Sequence, residues 1–225
     1  MGDVVVRQAP SGRRRALLLA SNILLVAAIA LVAYPFVTDF LTGRQQRTMS
    51  ADLPGPKSPV VAPTTGDPFD WAGWETQDKA YWTKLPSGGV FGRLVIPKIR
   101  LDTVVVKGAT MENLQRGPVF NERTSFPGPT GRATFHGHRV TWLHPFKNVD
   151  KLKAGDRFEF YSPYRRYTYS VKRLLVVQPE RLWDVMQDTK EPSIVLTACH
   201  PWYSKRFRIV VVADLVGAVP LRRTQ

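Results

Sequence analysis

Apolar and alternating runs dominate the chain from Phe91 onward. They are Arg93-Leu94-Val95-Ile96, Thr103 to Val106, Ala133 to His136, Arg157 to Tyr161, Tyr167 to Val177, Ser193 to Ala198 and Arg208 to Val216. Pro, Gly, Asp or Asn turns separate them, which is the punctuation of an all-β barrel or sandwich. Three short helical patterns interrupt the series. Met111 to Arg116 is stopped by Gly117-Pro118. Phe146 to Lys153 puts Phe146, Val149 and Leu152 on one face, and Glu180 to Gln187 turns Leu182, Val185 and Met186 inward. None of these resembles a DNA-recognition helix.

The N-terminal third has a different texture. From Ala16 to Val37 there is no charged residue, and at about 1.5 Å per residue that length crosses the roughly 30 Å hydrocarbon layer. A transmembrane anchor is therefore expected over residues 16–41, after an N-terminal tail at 1–15. The apolar stretch exceeds the roughly 7–15 residues of a secretory signal core, and no clear small-x-small cleavage site follows it. Arg13-Arg14-Arg15 touches the helix start, against the sparser Arg44, Arg47 and Lys57 beyond it. That bias predicts a single-pass protein with its N-terminus cytoplasmic and its domain extracellular. Residues 42–89 are rich in Pro, Gly, Ser and Thr and read as a linker holding the domain of residues 90–225 off the bilayer. Phe69, Trp71, Trp74, Tyr81 and Trp82 lie in that linker, and rings of this size favour packing on the domain over exposure.

The 225 residues carry a formal net charge of +14. The anchor's flanks supply only part of it, so the domain is basic, and such a field favours polyanions. For a domain outside a membrane these are lipid headgroups or cell-wall polymers; nucleic acid is not an expected partner.

Candidate chemistry centres on the one cysteine, Cys199, which closes the run beginning at Ser193. No internal disulfide is possible, so in an exported chain the thiol reflects reactivity or burial. A thiol attacks as thiolate, and a free thiol's pKa of about 8.5 leaves only a few per cent ionised at neutral pH, so a proton-exchanging or positive neighbour is required. The histidines are His136, His138, His144 and His200. His200 follows Cys199 directly and points to the opposite side of a continuing strand. His136 and His138 share one face of a strand end. About sixty residues separate them from the cysteine, and Arg208 lies nine further, each at a strand edge that a barrel can bring to one rim. An imidazole that protonates a leaving amine, beside an arginine that stabilises an oxyanion, suits acyl transfer.

Leu94-Val95-Ile96-Pro97-Lys98-Ile99 with Leu101-Asp102, then Gly137-His138-Arg139, Leu196-Thr197-Ala198-Cys199-His200-Pro201 and Arg208-Ile209-Val210-Val211 resemble the sortase family over about Val90 to Gly217. The resemblance implies an eight-stranded β-barrel, with Cys199 as nucleophile of a TLxTC-like motif, His138 as general acid and Arg208 as the conserved arginine. It also implies that Thr197, Ala198 and Arg139 contact substrate. Sortases cut a sorting signal such as LPxTG between Thr and Gly, hold the surface protein as a thioacyl intermediate and pass it to an amine of a peptidoglycan precursor or a pilin. Cys-His-Pro and the N-terminal anchor look most like class E sortases, which favour LAxTG. Two departures stand out: Ala198 replaces the usual Thr before the cysteine, and Phe135-His136 replaces small or aliphatic residues. His136 therefore competes with His138 for the acid's role, as Arg206 does with Arg208.

Asp67-Pro68-Phe69 resembles the lid over the cleft of pilin-polymerising class C sortases, so a lid-bearing pilin enzyme is one alternative. An L,D-transpeptidase is another, but its SHGC signature is absent. A papain-like peptidase would place its cysteine before its histidine. A basic, non-enzymatic wall-binding module would leave the aligned motifs to coincidence. No carboxylate cluster suited to calcium is evident, and no metal or cofactor is expected.

Overall fold

Side-chain alternation at period two closes into a barrel of eight strands among residues 12–51, 53–61 and 66–222, which the computed structural model describes. The strands are β1 (Val90–Ile96), β2 (Leu101–Lys107), β3 (Val119–Phe120), β4 (Arg132–His136), β5 (Arg157–Tyr161), β6 (Arg165–Val177), β7 (Ser193–His200) and β8 (Phe207–Pro220). Their order around the wall is β1-β2-β3-β4-β7-β8-β6-β5, and β1 closes on β5. The pairs β2–β3 and β4–β7 are parallel. Between strands lie α3 (Met111–Arg116) and α4 (Leu182–Met186). Thr110 caps α3 by accepting a hydrogen bond from the Asn113 amide, and Gly117 follows its last turn.

Seven of the strands follow runs visible in the sequence. The eighth, β3, spans two residues, too short for any alternation to register.

Aromatic rings fill the interior. Trp82 stacks on Phe91 with centroids 4.8 Å apart, Phe91 on Phe120 at 4.2 Å, and Phe135 meets Phe160 edge-on at 5.1 Å. Inward residues of β7 and β8, such as Ile194, Leu196, Ile209 and Val211, join this core. Their outward neighbours Val195, Val210 and Val212 form a separate cluster with Met186 of α4. The barrel wall is thus apolar on both faces along β7 and β8, and one of its faces is the outer one.

The chain divides into two units, Met1–Thr38 and Asp39–Gln225. α1 (Gly12–Ser50) supplies the described part of the first unit and is long and apolar enough to cross a membrane. Of the N-terminal tail expected at 1–15, residues 1–11 lie outside the described residues; Gly12 to Arg15 are helical.

The stretch expected as a linker at 42–89 is more ordered than its composition suggests. α1 continues to Ser50, and its last turns, which themselves belong to the second unit, have partners there. The Gln46 amide donates to the carbonyls of Val104 and Arg116 and accepts from the Val104 amide, while Thr42 donates to the Gln115 carbonyl. Further on, a π-helical turn (Glu75–Lys79) leads into α2 (Ala80–Lys84). Trp82 is fully buried and donates to the Phe91 carbonyl. A buried ion pair, Asp78 with Arg165, fastens this segment to β6, and Ser162 donates to the same carboxylate. Burial pushes the Asp78 carboxyl up, against the opposing effects of Ser162 and Arg165.

The helix expected from Phe146 to Lys153 is a single 3-10 turn, Val149–Lys151. Phe146, Val149 and Leu152 are buried as their spacing implied. Around them the backbone bonds outward instead of along a helix: the Phe146 amide donates to the His138 carbonyl, and the Lys147 carbonyl accepts from Arg139.

Candidate active site

Strand register brings the separate motifs together. β4 and β7 run parallel with His136 beside Thr197, and the Gly137 amide donates to the Thr197 carbonyl. Just past the end of β4, His138 lines the same groove as Cys199. On the other side of β7, Cys199 is the direct antiparallel partner of Arg208, and such partners lie about 4.5–5.5 Å apart at Cα. Alternation turns Ile194, Leu196 and Ala198 toward the core, so Thr197 and Cys199 face outward with Arg208.

A groove of about 400 Å³ is lined by Ala109, Met111 and Leu114 from the α3 side, by His136, Gly137 and His138 from β4 and its end, and by Thr197, Ala198, Cys199, Lys205 and Arg208 from β7, β8 and the turn between them. Cys199 is half-buried, with a free thiol. Apolar walls with a few convergent polar groups are the usual make-up of a ligand site. Arg208 is steadied by donating to the carbonyls of Lys205 and Phe207. Arg206 instead lies over the Phe207 ring at 5.3 Å and does not line the groove.

The two imidazoles differ in their surroundings. The Nδ2 of Asn121 lies 3.0 Å from Nε2 of His136, and the Oδ1 of Asn121 accepts from the Arg123 amide. That oxygen contact orients the Asn121 amide to donate, so His136 Nε2 is the acceptor and Nδ1 carries the proton. Burial first, and the Arg208 charge second, lower the His136 pKa to about 4. His136 is therefore neutral, with its free lone pair occupied. In His138, burial followed by the Lys205 charge also lowers the pKa, but its buried Nε2 has no hydrogen-bond partner among the described residues. His138 Nε2 is thus not engaged by a neighbouring amide as His136 Nε2 is.

Not every residue singled out from the sequence meets the groove. Thr197 and Ala198 line it, and the buried Thr197 hydroxyl has no partner among the described residues. Arg139 does not. It is buried behind the wall, 2.6 Å from Asp150 and 2.7 Å from Nδ1 of His200, because it follows His138 directly and takes the opposite side of the chain. Asp67-Pro68-Phe69 is also elsewhere: the Pro68 carbonyl accepts from the Ala218 amide and Phe69 packs on the core. Ala218 is ten residues along β8 from Arg208, about 33 Å at the rise of an extended strand, so these residues do not cover the groove. Sequence reasoning missed Asn121, Ala109, Met111 and Leu114. The apolar positions of α3 carried a signal, but one-sided apolarity does not say whether a helix faces a core or a cleft.

Among known proteins, a family model described as Sortase domain matches residues 94–216. Sortase A of Bacillus anthracis is 31% identical over 57% of this chain and 60% of its own length, so the match spans less than two thirds of that relative. A Clostridium perfringens Sortase D5 transpeptidase structure superposes with a TM-score of 0.57 at 26% identity, over 64% of this chain and 89% of that one. Sortase E1 from Streptomyces coelicolor, solved with a tripeptide in its active site, superposes with a TM-score of 0.56 at 25% identity, over 59% of this chain and 91% of that one. The family match covers more than half of the 225 residues and contains β4, β7 and every groove-lining residue, and the chain belongs to the sortase family.

Proposed function

We propose that the protein is a membrane-anchored cysteine transpeptidase. It cleaves a C-terminal sorting signal of LAxTG or LPxTG type between Thr and Gly and joins the surface protein to a cell-wall amine. The observation that carries this reading is the convergence of Cys199, His138 and Arg208, remote in sequence, on one groove. His138 takes the thiol proton, and the thiolate adds to the Thr carbonyl carbon. Arg208 stabilises the oxyanion that forms. The imidazolium then protonates the Gly nitrogen, the C–N bond breaks and a thioester remains. An incoming amine attacks that thioester, its proton passes to His138, the C–S bond breaks, and the released sulfur takes that proton from His138 to restore the thiol.

Thr197 and Ala198 line the path of the signal peptide. A class E character is supported by the likeness to Sortase E1, although relatives named Sortase A and Sortase D match as well. The distance of Asp67-Pro68-Phe69 from the groove weighs against a lidded, pilin-polymerising enzyme. The Arg13-Arg14-Arg15 cluster favours a cytoplasmic N-terminus with the catalytic barrel outside, where a peptidoglycan precursor supplies the amine.

The test is mass spectrometry of the full chain in detergent with LAxTG, LPxTG and scrambled peptides plus a glycine or lysine nucleophile. The expected result is cleavage after Thr, a thioacyl adduct on Cys199 and an amide product with the added amine. Cleavage of none of the peptides, or an undiminished rate in Cys199→Ala, refutes the reading.

A further inference from the structure

The ladder that holds β4 against β7 stops one residue short of the groove's acid. β4 ends at His136, and the Gly137 amide bond to Thr197 is the last main-chain link between the two chains. The His138 carbonyl turns away to accept from the Phe146 amide, and its Nε2 has no partner among the described residues. Sheet pairing alone therefore does not fix the spacing of His138 and Cys199.

The next residue on each chain does. Arg139 follows His138, His200 follows Cys199, and alternation puts both on the side of the wall away from the groove. There the Arg139 guanidinium lies 2.7 Å from His200 Nδ1. Arginine has only donors, so Nδ1 accepts and His200 carries its proton on Nε2. The rest of the fork binds two residues of one further segment: Nη2 lies 2.6 Å from Asp150, in the 3-10 turn, and Nε donates to the Lys147 carbonyl, just before it, at 3.3 Å. Trp202 covers the group from the β7–β8 turn, its ring 5.6 Å from the guanidinium carbon. With its side chain 1% exposed, Arg139 has no free face for a peptide. A planar fork held at three points is also far more rigid than a lysine in the same place.

We infer that Arg139 and His200 are a positioning pair, a side-chain rung that extends the β4–β7 pairing one step and sets the distance between the His138 imidazole and the Cys199 sulfur. The inference rests on the transpeptidase reading and replaces the substrate-contact role that the family resemblance implied for Arg139. Neither residue touches the reacting atoms. Their effect is on orientation, where a displacement of about 1 Å can cost on the order of a hundredfold in rate.

The decisive variants are His200→Leu, which removes the acceptor, and His200→Asn, whose Oδ1 can stand where Nδ1 stood. Arg139→Lys tests the fork. Each is made in the full chain and checked by thermal unfolding. With an LAxTG or LPxTG peptide, His200→Leu is expected to lower kcat by about tenfold or more with KM within about twofold. His200→Asn is expected to recover most of that loss, and Arg139→Lys is not expected to match the wild type. A second readout needs no sorting signal. Cys199 is the one cysteine of the chain, so its alkylation rate by iodoacetamide against pH reports the neighbouring imidazole directly. Wild type and His200→Asn should share an inflection that disappears in His138→Gln and is shifted or flattened in His200→Leu.

A fall in kcat shared equally by His200→Leu and His200→Asn overturns the inference, as does a change confined to KM or an alkylation profile unmoved by His200→Leu. A wild-type protein inert toward every sorting peptide would instead refute the transpeptidase reading, with the alkylation profiles still deciding whether the pair positions His138. Should Arg139→Lys fail to fold, the two His200 variants carry the test.

Discussion

Replacing His136 by glutamine separates the two imidazoles of the groove, because the change acts on the pH dependence of stability and leaves catalysis nearly untouched. The Gln side chain keeps an acceptor for Asn121 Nδ2 but cannot titrate. In the folded protein the His136 pKa is lowered from 6.5 to about 4. At 1.36 kcal/mol per unit, that gap corresponds to about 3 kcal/mol of folding free energy. The direction follows from proton binding. Below pH 6.5 the unfolded chain protonates this histidine while the folded protein keeps it neutral, so the contribution is complete above pH 6.5 and is lost as the pH falls toward 4. Equilibrium urea unfolding followed by tryptophan fluorescence at pH 7.5 and pH 4 measures it. The wild type should lose about 3 kcal/mol more than His136→Gln over that interval, and the comparison cancels contributions common to both, such as those of His138 and Asp78.

The same variant should cleave a sorting peptide with kcat/KM within about threefold of the wild type, since the lone pair of His136 is already engaged by Asn121. His138→Gln, by contrast, should lose about 10²–10⁴-fold, the usual worth of a positioned acid–base group. If His136→Gln folds yet abolishes cleavage while His138→Gln does not, the acid has been assigned to the wrong residue. If the two proteins show parallel stability curves between pH 7.5 and 4, the burial argument for His136 fails.

Gly137 separates the two histidines, and a Cβ there would lie 2.6 Å from Cδ2 of the buried Phe146 ring. Gly137→Ala is expected to cost about 1–3 kcal/mol by overpacking and to lower kcat by about tenfold or more through the displaced His138. A kcat loss no larger than the unfolded fraction accounts for would rule out the second effect. At the other end of the barrel, Arg165→Met leaves the Asp78 carboxylate without its cation in a site with no solvent exposure for either side chain. Urea unfolding should show a loss of about 3–5 kcal/mol, and a loss below about 1 kcal/mol would mean that the pair does not fasten the 67–84 segment to β6.

The strands and the chemistry were legible in the sequence to different depths. Period-two alternation marked seven strands, and the edges carrying Cys199 and Arg208 stood out because one short turn joins β7 to β8. Arg139 was misjudged through a rule already in use. Adjacent strand residues face opposite sides, which separated His200 from Cys199 at once; applied to His138, it puts Arg139 behind the wall. The linker was misjudged for a different reason. Pro and Gly set local stiffness, but Gln46 and Asp78 are held by partners dozens of residues away, Val104 and Arg165. No local pattern reveals those pairings.

The hardest element to read was the neighbourhood of β4 and β7, although the chemistry depends on it most. Two strands, β5 and β6, intervene in sequence and lie on the far side of β8 in space. A chain that meandered in order would have placed β5 beside β4, and His138 would never have met Cys199. The interior offers no alternative location, since stacked rings from Trp82 to Phe160 fill it. Chemistry is thereby confined to the outer face, where the parallel β4–β7 pair brings two C-terminal strand ends to the same level and the antiparallel β7–β8 pair returns an arginine to them. In this fold the sequence order His, Cys, Arg is also the lateral order across the wall, and the thiol stands between the imidazole proposed to move its proton and the guanidinium proposed to hold the substrate oxyanion.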